Sequence, residues 1–203
     1  MTSVFVVLVV LALIFSLCAI LKPNHYLVAV ALLFVCIALL IIHGMLGWHK
    51  GDMTAVPGEA EVMETLRALN VQPGDYRFPH GNTVAEMTAP EFVEKMSQGP
   101  VGIMSIWPNG EINMGKLLGQ WFVYSLFVAV LVAYITGRTR GAGAPYLEVV
   151  RVSGAVAFCC YVVAHWQNWI WWGKSTRFTV TNSLDGIIYA LITGATFGWL
   201  WPH

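Results

Sequence analysis

Apolar residues occur along this chain in five long runs, and a more polar stretch separates the first two runs from the last three. The runs cover residues 4–21, 26–48, 117–136, 149–172 and 184–201. A helix needs about 20 apolar residues to cross the hydrocarbon core of a bilayer, where unpaired backbone groups are costly. The pattern therefore predicts an all-α membrane protein, built as a bundle of five transmembrane helices.

The polar stretch, residues 49–116, carries most of the charged side chains and six prolines, so we expect it to leave the membrane. Three parts follow: residues 1–48 with transmembrane helices 1 and 2, residues 49–116 as an extramembrane domain, and residues 117–203 with helices 3 to 5. The fold class predicted is a five-helix bundle with a small α+β domain inserted between helices 2 and 3.

Local patterns predict the elements of this small domain. Apolar residues at helical spacing predict a helix at residues 58–69, and a second short helix is expected at 90–98. Residues 72–82 are typical of a loop. The apolar run 101–107, which ends in Pro-Asn-Gly, predicts a strand, and we expect it to form a hairpin with residues 111–114.

The first two apolar runs are hydrophobic on every face. Residues 4–21 have no basic residue before them and no small-residue cleavage site after them, which favours a retained helix over a signal peptide. Because neither run presents a polar face, we expect both helices to lie at the periphery of the bundle, against lipid.

Composition supports the membrane assignment and excludes one class of partner. Charged residues make up 11% of the chain and hydrophobic residues 57%, whereas soluble domains are about one quarter charged. The net charge is zero, so no basic field indicates binding to nucleic acid. The four cysteines all lie in apolar runs without C-x-x-C spacing, so no disulfide framework is implied.

The orientation prediction depends on basic residues in the short loops. The two sides of the membrane would carry four each: Lys22, Arg138, Arg140 and Arg151 on one side, and Lys50, Lys116, Lys174 and Arg177 on the other. The dense Arg-Thr-Arg cluster and the nine carboxylates against five basic side chains in residues 48–116 break this tie. We therefore expect the N-terminus and the extramembrane domain outside, in the periplasm or extracellular space, and the C-terminus in the cytoplasm.

Polar and aromatic residues gather in the last third of the run 149–172. An ionisable residue inside a transmembrane helix is a candidate functional residue, which draws attention to His165. We expect a ligand pocket near the same membrane face, with these candidates: His43, Tyr161, His165, Gln167, Asn168, Trp169 and Asp185. The alternative is that His165 bonds to a neighbouring carbonyl, that Asp185 complements the N-terminus of its helix, and that the tryptophans anchor the interface.

Haem or a metal ion is compatible with this pocket but is not indicated by any local motif. A bis-histidine haem would need His43 and His165 to face each other. Zinc would need three or four ligands, and His43, His165 and Asp185 are weak candidates because no spacing such as H-E-x-x-H connects them. The cofactor is therefore left unknown.

Small residues recur every four positions in the last apolar run, at Gly186, Ala190, Gly194 and Gly198. Such a stripe lets another helix approach backbone to backbone. We expect it to serve helix packing, against the fourth helix or against a second subunit.

No nucleophile motif and no phosphate-binding glycine loop occurs in the sequence, which argues against an enzyme without excluding one. We therefore predict an integral membrane accessory or scaffold protein, a non-catalytic subunit of a larger membrane assembly. Its expected partners are the lipid bilayer and either a membrane protein or a second copy of the chain. The alternative is a membrane protein that binds haem, a metal or a lipophilic ligand in the pocket around His165.

Overall fold

The computed structural model of the chain describes residues 25–202, so the predicted helix at residues 4–21 lies outside the described residues. Helices dominate the described part. In chain order the elements are α1 (His25–Ile41), α2 (Glu59–Ala68), β1 (Gly74–Phe78), α3 (Val84–Thr88), α4 (Pro90–Gln98), β2 (Gly102–Ile106), α5 (Met114–Thr139), α6 (Tyr146–Trp172) and α7 (Thr176–Trp199).

Three helices of the described residues are long and apolar enough to cross a membrane: Tyr26–Leu46, Met114–Thr139 and Tyr146–Trp172. The first of these is α1 together with a π-helical turn, Ile42–Leu46, that continues it. The second and third correspond to the predicted third and fourth transmembrane helices. The described residues therefore show a helical protein with three helices that could span a membrane. They do not show the five spanning helices that the sequence predicts.

The predicted fifth transmembrane helix needs a correction, because α7 begins at Thr176 and not at residue 184. Ser175 caps it by accepting a hydrogen bond from the Phe178 amide, 3.1 Å away. The first turns of α7 therefore include Arg177 and other polar residues. Asp185 consequently lies in the third turn and cannot act as a first-turn partner of the helix dipole.

The expectation that α1 lies at the periphery fits one side of the helix, where Leu33 is 56% and Leu40 is 64% exposed, but it does not account for the other side. One of its faces belongs to the core of the described bundle, where it packs against α7 and α5. Leu27, Val28 and Val35 are each at most 1% exposed. The uniform hydrophobicity of the sequence hid this face, since a helix that is apolar all round gives no periodic signal.

The small-residue stripe of α7 lies against α6. A Cβ atom built on Gly194 would come within 3.1 Å of the Gly154 Cα, and one on Gly186 within 2.6 Å of the Tyr161 carbonyl oxygen. A Cβ on Gly198 would come within 2.5 Å of Val150. The two backbones therefore approach more closely than side chains would allow, so the stripe is occupied within this chain.

Helix α6 contains a π-helical turn at Cys159–Val163. A π turn interrupts the regular pattern of backbone hydrogen bonds and can leave a carbonyl open to another donor. Here the Tyr124 hydroxyl of α5 donates to the Cys160 carbonyl oxygen over 2.6 Å. This bond joins α5 to the middle of α6.

The segment between α1 and α5 contains a two-stranded antiparallel sheet, in which Gly74 pairs with Ile106 and Phe78 with Gly102. The strand predicted at 101–107 is confirmed as β2. Its predicted partner at 111–114 is wrong, and so is the loop predicted at 72–82, because β1 lies there. The prolines at 73 and 79 flank β1 without interrupting it, so they hid a strand whose side chains alternate in polarity.

The helices predicted at 58–69 and 90–98 are confirmed as α2 and α4. The short helix α3 was not predicted, although the sequence carries a signal for it. Thr83 accepts a hydrogen bond from the Glu86 amide, and the Glu86 carboxylate accepts one from the Asn82 amide. This arrangement resembles a capping box, for which the Thr-x-x-Glu spacing is typical.

Candidate functional site

The candidate site forms where α1 ends. The π-helical turn carries His43, and Gly47 then adopts a left-handed backbone with φ of 61°. That conformation, which glycine tolerates better than other residues, turns the chain into a short 3₁₀ helix, Trp48–Gly51. The turn brings His49 back beside His43, and the two imidazole rings stack with centroids 4.5 Å apart.

Asp185 of α7 joins this histidine pair. Its Oδ2 atom lies 2.9 Å from Nε2 of His49 and 3.7 Å from Nε2 of His43. One potential ligand atom from each of the three residues lies within 4.8 Å of the other two. We call His43, His49 and Asp185 the His–Asp cluster. It joins residues more than 130 positions apart in the sequence.

Asp52 lies on the far side of His49 from Asp185. Its Oδ2 atom is 2.7 Å from Nδ1 of His49 and accepts a hydrogen bond of 2.7 Å from the Thr181 hydroxyl. Its Oδ1 atom is 3.5 Å from the Arg177 guanidinium. Burial raises the pKa of the Asp52 carboxyl, but its hydrogen bonds and the nearby Arg177 lower this pKa by more, to below its ordinary value of 3.8. Asp52 is therefore a carboxylate at neutral pH.

Asp185 is the most buried member of the cluster. Its side chain is 6% exposed, whereas that of His49 is 20% and that of His43 is 46% exposed. Among the described residues, the Oδ1 atom of Asp185 has no hydrogen-bond partner. The Trp48 indole lies close to this carboxylate, yet within the same part of the chain its buried N–H group also lacks a partner of hydrogen-bond geometry. The cluster thus contains a buried acceptor that is not fully satisfied, which is costly in a protein interior.

The structure brings two of the predicted pocket residues together, His43 and Asp185. His165 is half-buried, and its ring interacts with the Tyr161 carbonyl, one turn earlier in α6, and electrostatically with Asp185. Gln167, Asn168 and Trp169 are exposed. The Trp169 indole donates to the Thr176 hydroxyl, which lies 3.2 Å away at the start of α7.

Tyr161 is buried in a cluster of aromatic rings. It makes edge-to-face contacts with Tyr124 and Tyr189, at centroid distances of 5.9 and 5.6 Å. Trp121 extends the same cluster through Tyr189. The Tyr189 hydroxyl is buried and has no hydrogen-bond partner among the described residues. These rings join α5, α6 and α7 in the bundle core.

His49, Asp52 and Thr181 are site residues that the sequence did not identify. His49 and Asp52 stand three positions apart, the spacing at which side chains of one helical turn meet. They lie beyond the apolar run, however, and only the left-handed turn at Gly47 brings them back to Asp185. Thr181 is 129 positions from Asp52, and no local pattern connects such a pair.

Two grooves on the bundle surface are lined by apolar side chains and do not include the His–Asp cluster. The larger one, about 580 Å³, runs between α1, α6 and α7 and is lined by residues such as Phe34, Ile37 and Trp199. The smaller one, about 280 Å³, lies between α6 and α7. Without convergent polar groups, these grooves suit lipid chains better than a polar ligand.

The fold and the site together define a class: a helical protein in which three helices of residues 25–202 could cross a membrane, with a His–Asp cluster at the end of the first of them. Comparison with protein-family models, with curated proteins and with solved structures found no match to this chain.

Proposed function

We propose that this chain is an integral membrane accessory protein, a non-catalytic subunit of a larger membrane assembly, whose extramembrane segment binds a partner protein. One observation carries the proposal. Residues 49–113, which lie between two of the candidate spanning helices, are all described, and none of them is buried. A segment of that length without a buried core lacks the main source of folding stability, so a further surface must stabilise it.

The segment exposes apolar side chains on several of its elements. On and just after α2, Met63 is 50% and Leu69 is 70% exposed. Val93 of α4 is 52% exposed, and Trp107, directly after β2, is 60% exposed. Exposed apolar side chains concentrated in this way are typical of interaction surfaces. They support binding to a partner that removes them from water.

Charge favours a protein over a lipid surface as this partner. Residues 48–116 carry nine carboxylates and five basic side chains. Anionic membranes attract basic segments and repel acidic ones. An acidic segment with exposed apolar side chains instead suits a protein surface with an apolar centre and basic residues around it. The proposal places this segment and the N-terminus outside the cell membrane and the C-terminus in the cytoplasm.

The first test changes the apolar side of α2. We expect Met63→Gln combined with Leu69→Gln to release the full-length protein from its assembly, because both side chains lose apolar contact area. The measurement is the mass of the protein component in mild detergent, by light scattering after size-exclusion chromatography. The control is Ala60→Gln combined with Ala68→Gln, which changes exposed residues on the other side of the same helix. This control should leave the assembly intact.

Three results would count against the proposal: a wild-type protein that is already monomeric, equal assembly of both double variants, or an assembly that contains only lipid. Two differently tagged copies of the chain distinguish a second copy from another protein, since co-purification of the tags identifies a homo-oligomer. Either protein partner supports the accessory role.

The alternative predicted from the sequence, cofactor or lipophilic-ligand binding around His165, has one contact in its favour, the approach of His43 to Asp185. A bis-histidine haem would need His43 and His165 on opposite sides of one iron. His43 instead stacks on His49. The arrangement therefore favours a ligand held by His43, His49 and Asp185 over one centred on His165.

A further inference from the structure

We propose that the His–Asp cluster is a binding site for one divalent metal ion of the zinc class, with His43, His49 and Asp185 as its protein ligands. The metal site does not depend on the accessory role, because the cluster shares no residue with the apolar side of α2 that carries Met63 and Leu69. The sequence named His43, His165 and Asp185 as candidate ligands, whereas the proposed site has His49 in place of His165.

The identity of the ligand atoms supports this assignment. Two imidazole nitrogens and one carboxylate oxygen form a ligand set that zinc commonly uses, with three protein ligands and a fourth position for water or another ligand. The three candidate atoms lie within 4.8 Å of one another. Around a tetrahedral zinc ion, ligand atoms lie about 3.4 Å apart, given metal–ligand bonds of about 2.1 Å. Binding the ion therefore requires the 2.9 Å contact between His49 Nε2 and Asp185 Oδ2 to lengthen by about 0.5 Å and the widest separation, at most 4.8 Å, to shorten.

His43 is the residue that can make this adjustment. Its side chain is 46% exposed, and its Nε2 atom is the more distant nitrogen from Asp185, at 3.7 Å. His49 already lies 2.9 Å from the same carboxylate oxygen. A rotation of the exposed His43 ring would bring its nitrogen closer, and a small rotation of the Asp185 carboxylate would lengthen its 2.9 Å contact with His49 to make room for the ion. The same exposure gives the ion and a water ligand access from solvent.

Asp52 supports the site from behind His49. Metal-binding histidines commonly donate their second ring N–H to a carboxylate, which fixes the tautomer and the ring orientation. The Asp52 carboxylate lies 2.7 Å from Nδ1 of His49 and is itself held by the Thr181 hydroxyl. With the proton on Nδ1, the lone pair of Nε2 points toward the cluster. Asp52 is thus a positioning residue for the metal ligand His49.

The same geometry leaves an electrostatic problem that a cation would solve. When Nδ1 of His49 carries the only ring proton, Nε2 presents a lone pair to an oxygen of the Asp185 carboxylate, and two acceptors then face each other at 2.9 Å. The other oxygen of Asp185 is buried without a hydrogen-bond partner among the described residues. A divalent ion bound by Nε2 and the carboxylate would satisfy both groups. The competing solution is a proton in the same place, carried by Nε2 of His49 or by the Asp185 carboxyl, and the metal titration distinguishes an ion from a proton.

The experiment titrates the metal alone. Full-length protein in detergent is stripped with a chelator, and Zn²⁺ binding is measured by calorimetry, with Co²⁺ as a spectroscopic probe of tetrahedral coordination. We expect one saturable Zn²⁺ per chain and a tetrahedral Co²⁺ spectrum. His43→Ala should lower the Zn²⁺ affinity by more than about 100-fold, since a direct ligand matters at least as much as its supporting residues. Because His43 is exposed, this variant should fold.

One matched variant controls for the loss of a histidine. His80→Ala removes an exposed histidine that lies outside the cluster. It should bind Zn²⁺ as the wild type does. Asp52→Ala should weaken binding by about 10 to 100-fold, and Asp52→Asn should restore part of it, as expected for a positioning residue.

Two results would overturn the metal site. One is a wild-type protein without saturable Zn²⁺ binding, which would leave the cluster as a hydrogen-bonded group that binds no metal. The other is equal affinity of the His43→Ala and His80→Ala variants. Neither result concerns Met63 and Leu69 of the α2 side, so the accessory role is tested separately.

Discussion

Individual glycines decide how closely α6 and α7 can pack. We expect Gly186→Ala to destabilise the protein, because its Cβ atom would lie 2.6 Å from the Tyr161 carbonyl oxygen, a backbone atom that cannot move aside alone. Overpacking of this kind typically costs about 1–3 kcal/mol. Thermal unfolding of the purified protein in detergent measures the effect as a lower midpoint.

Gly119→Ala provides the matched control for this substitution. Gly119 lies in α5, and a Cβ atom added there would meet no atom within 4 Å among the described residues. Alanine is the better helix former by about 1 kcal/mol, so this variant should be as stable as the wild type or more stable. Equal destabilisation by both substitutions would show that the α6–α7 contact is not as close as described.

At the same scale, the sequence identified some site residues and missed others for a clear reason. His43 and Asp185 could be singled out because an ionisable group inside an apolar run is conspicuous. His49 and Asp52 could not, because they are ordinary polar residues of a connection until Gly47 turns the chain back. The sequence favours His165 because it lies in an apolar run. The position of a residue in such a run does not show which side chains surround it in the fold.

At the scale of the element, the start of α7 depends on its cap. We expect Ser175→Ala to cost about 1 kcal/mol, because the Phe178 amide loses its side-chain acceptor. Ser175→Asn, which keeps a capping oxygen, should retain most of the stability. Thermal unfolding and amide hydrogen exchange in the first turn of α7 measure the difference. If alanine and asparagine behaved alike, the cap would not be what fixes this helix end.

The cap also explains why the sequence placed the start of α7 too late. Residues 176–183 are polar except for Phe178 and Val180, and the prediction counted only the apolar run that follows them. In the fold these polar side chains have partners near the end of α1: Arg177 donates to the Trp48 carbonyl, and Thr181 donates to Asp52. Contacts between distant segments therefore extend the helix beyond its apolar part. The pairing of β1 with β2 was missed for a similar reason, since their separation in sequence hides it.

At the scale of the whole molecule, composition was enough to predict a helical class with membrane-compatible helices, because the bilayer imposes length and hydrophobicity on each helix. The number of spans was harder to predict. A helix such as α7 can be enclosed by others and tolerate polar residues that would be costly against lipid. Hydrophobicity along the chain does not distinguish a helix that is surrounded by other helices from one that is surrounded by lipid.

The proposed orientation predicts opposite sides for the two ends of α5. After alanine replaces the four native cysteines, we expect a membrane-impermeant maleimide to label Asn109→Cys in intact cells and Ala142→Cys only after the membrane is opened. Both positions are exposed, and α5 lies between them. Labelling in the reverse order would contradict the orientation, whereas labelling of both in intact cells would contradict the crossing by α5.

Residues 49–113, none of which is buried, connect two parts of the described bundle that also contact each other directly. Helix α1 packs against α5 and α7 through its side chains, and its inner face is part of the same core. A backbone break between α1 and α5 would therefore leave two fragments whose apolar faces still match. We therefore expect two separately synthesised fragments, divided between α1 and α5, to reassemble. We also expect the chain to tolerate insertions at the point of division.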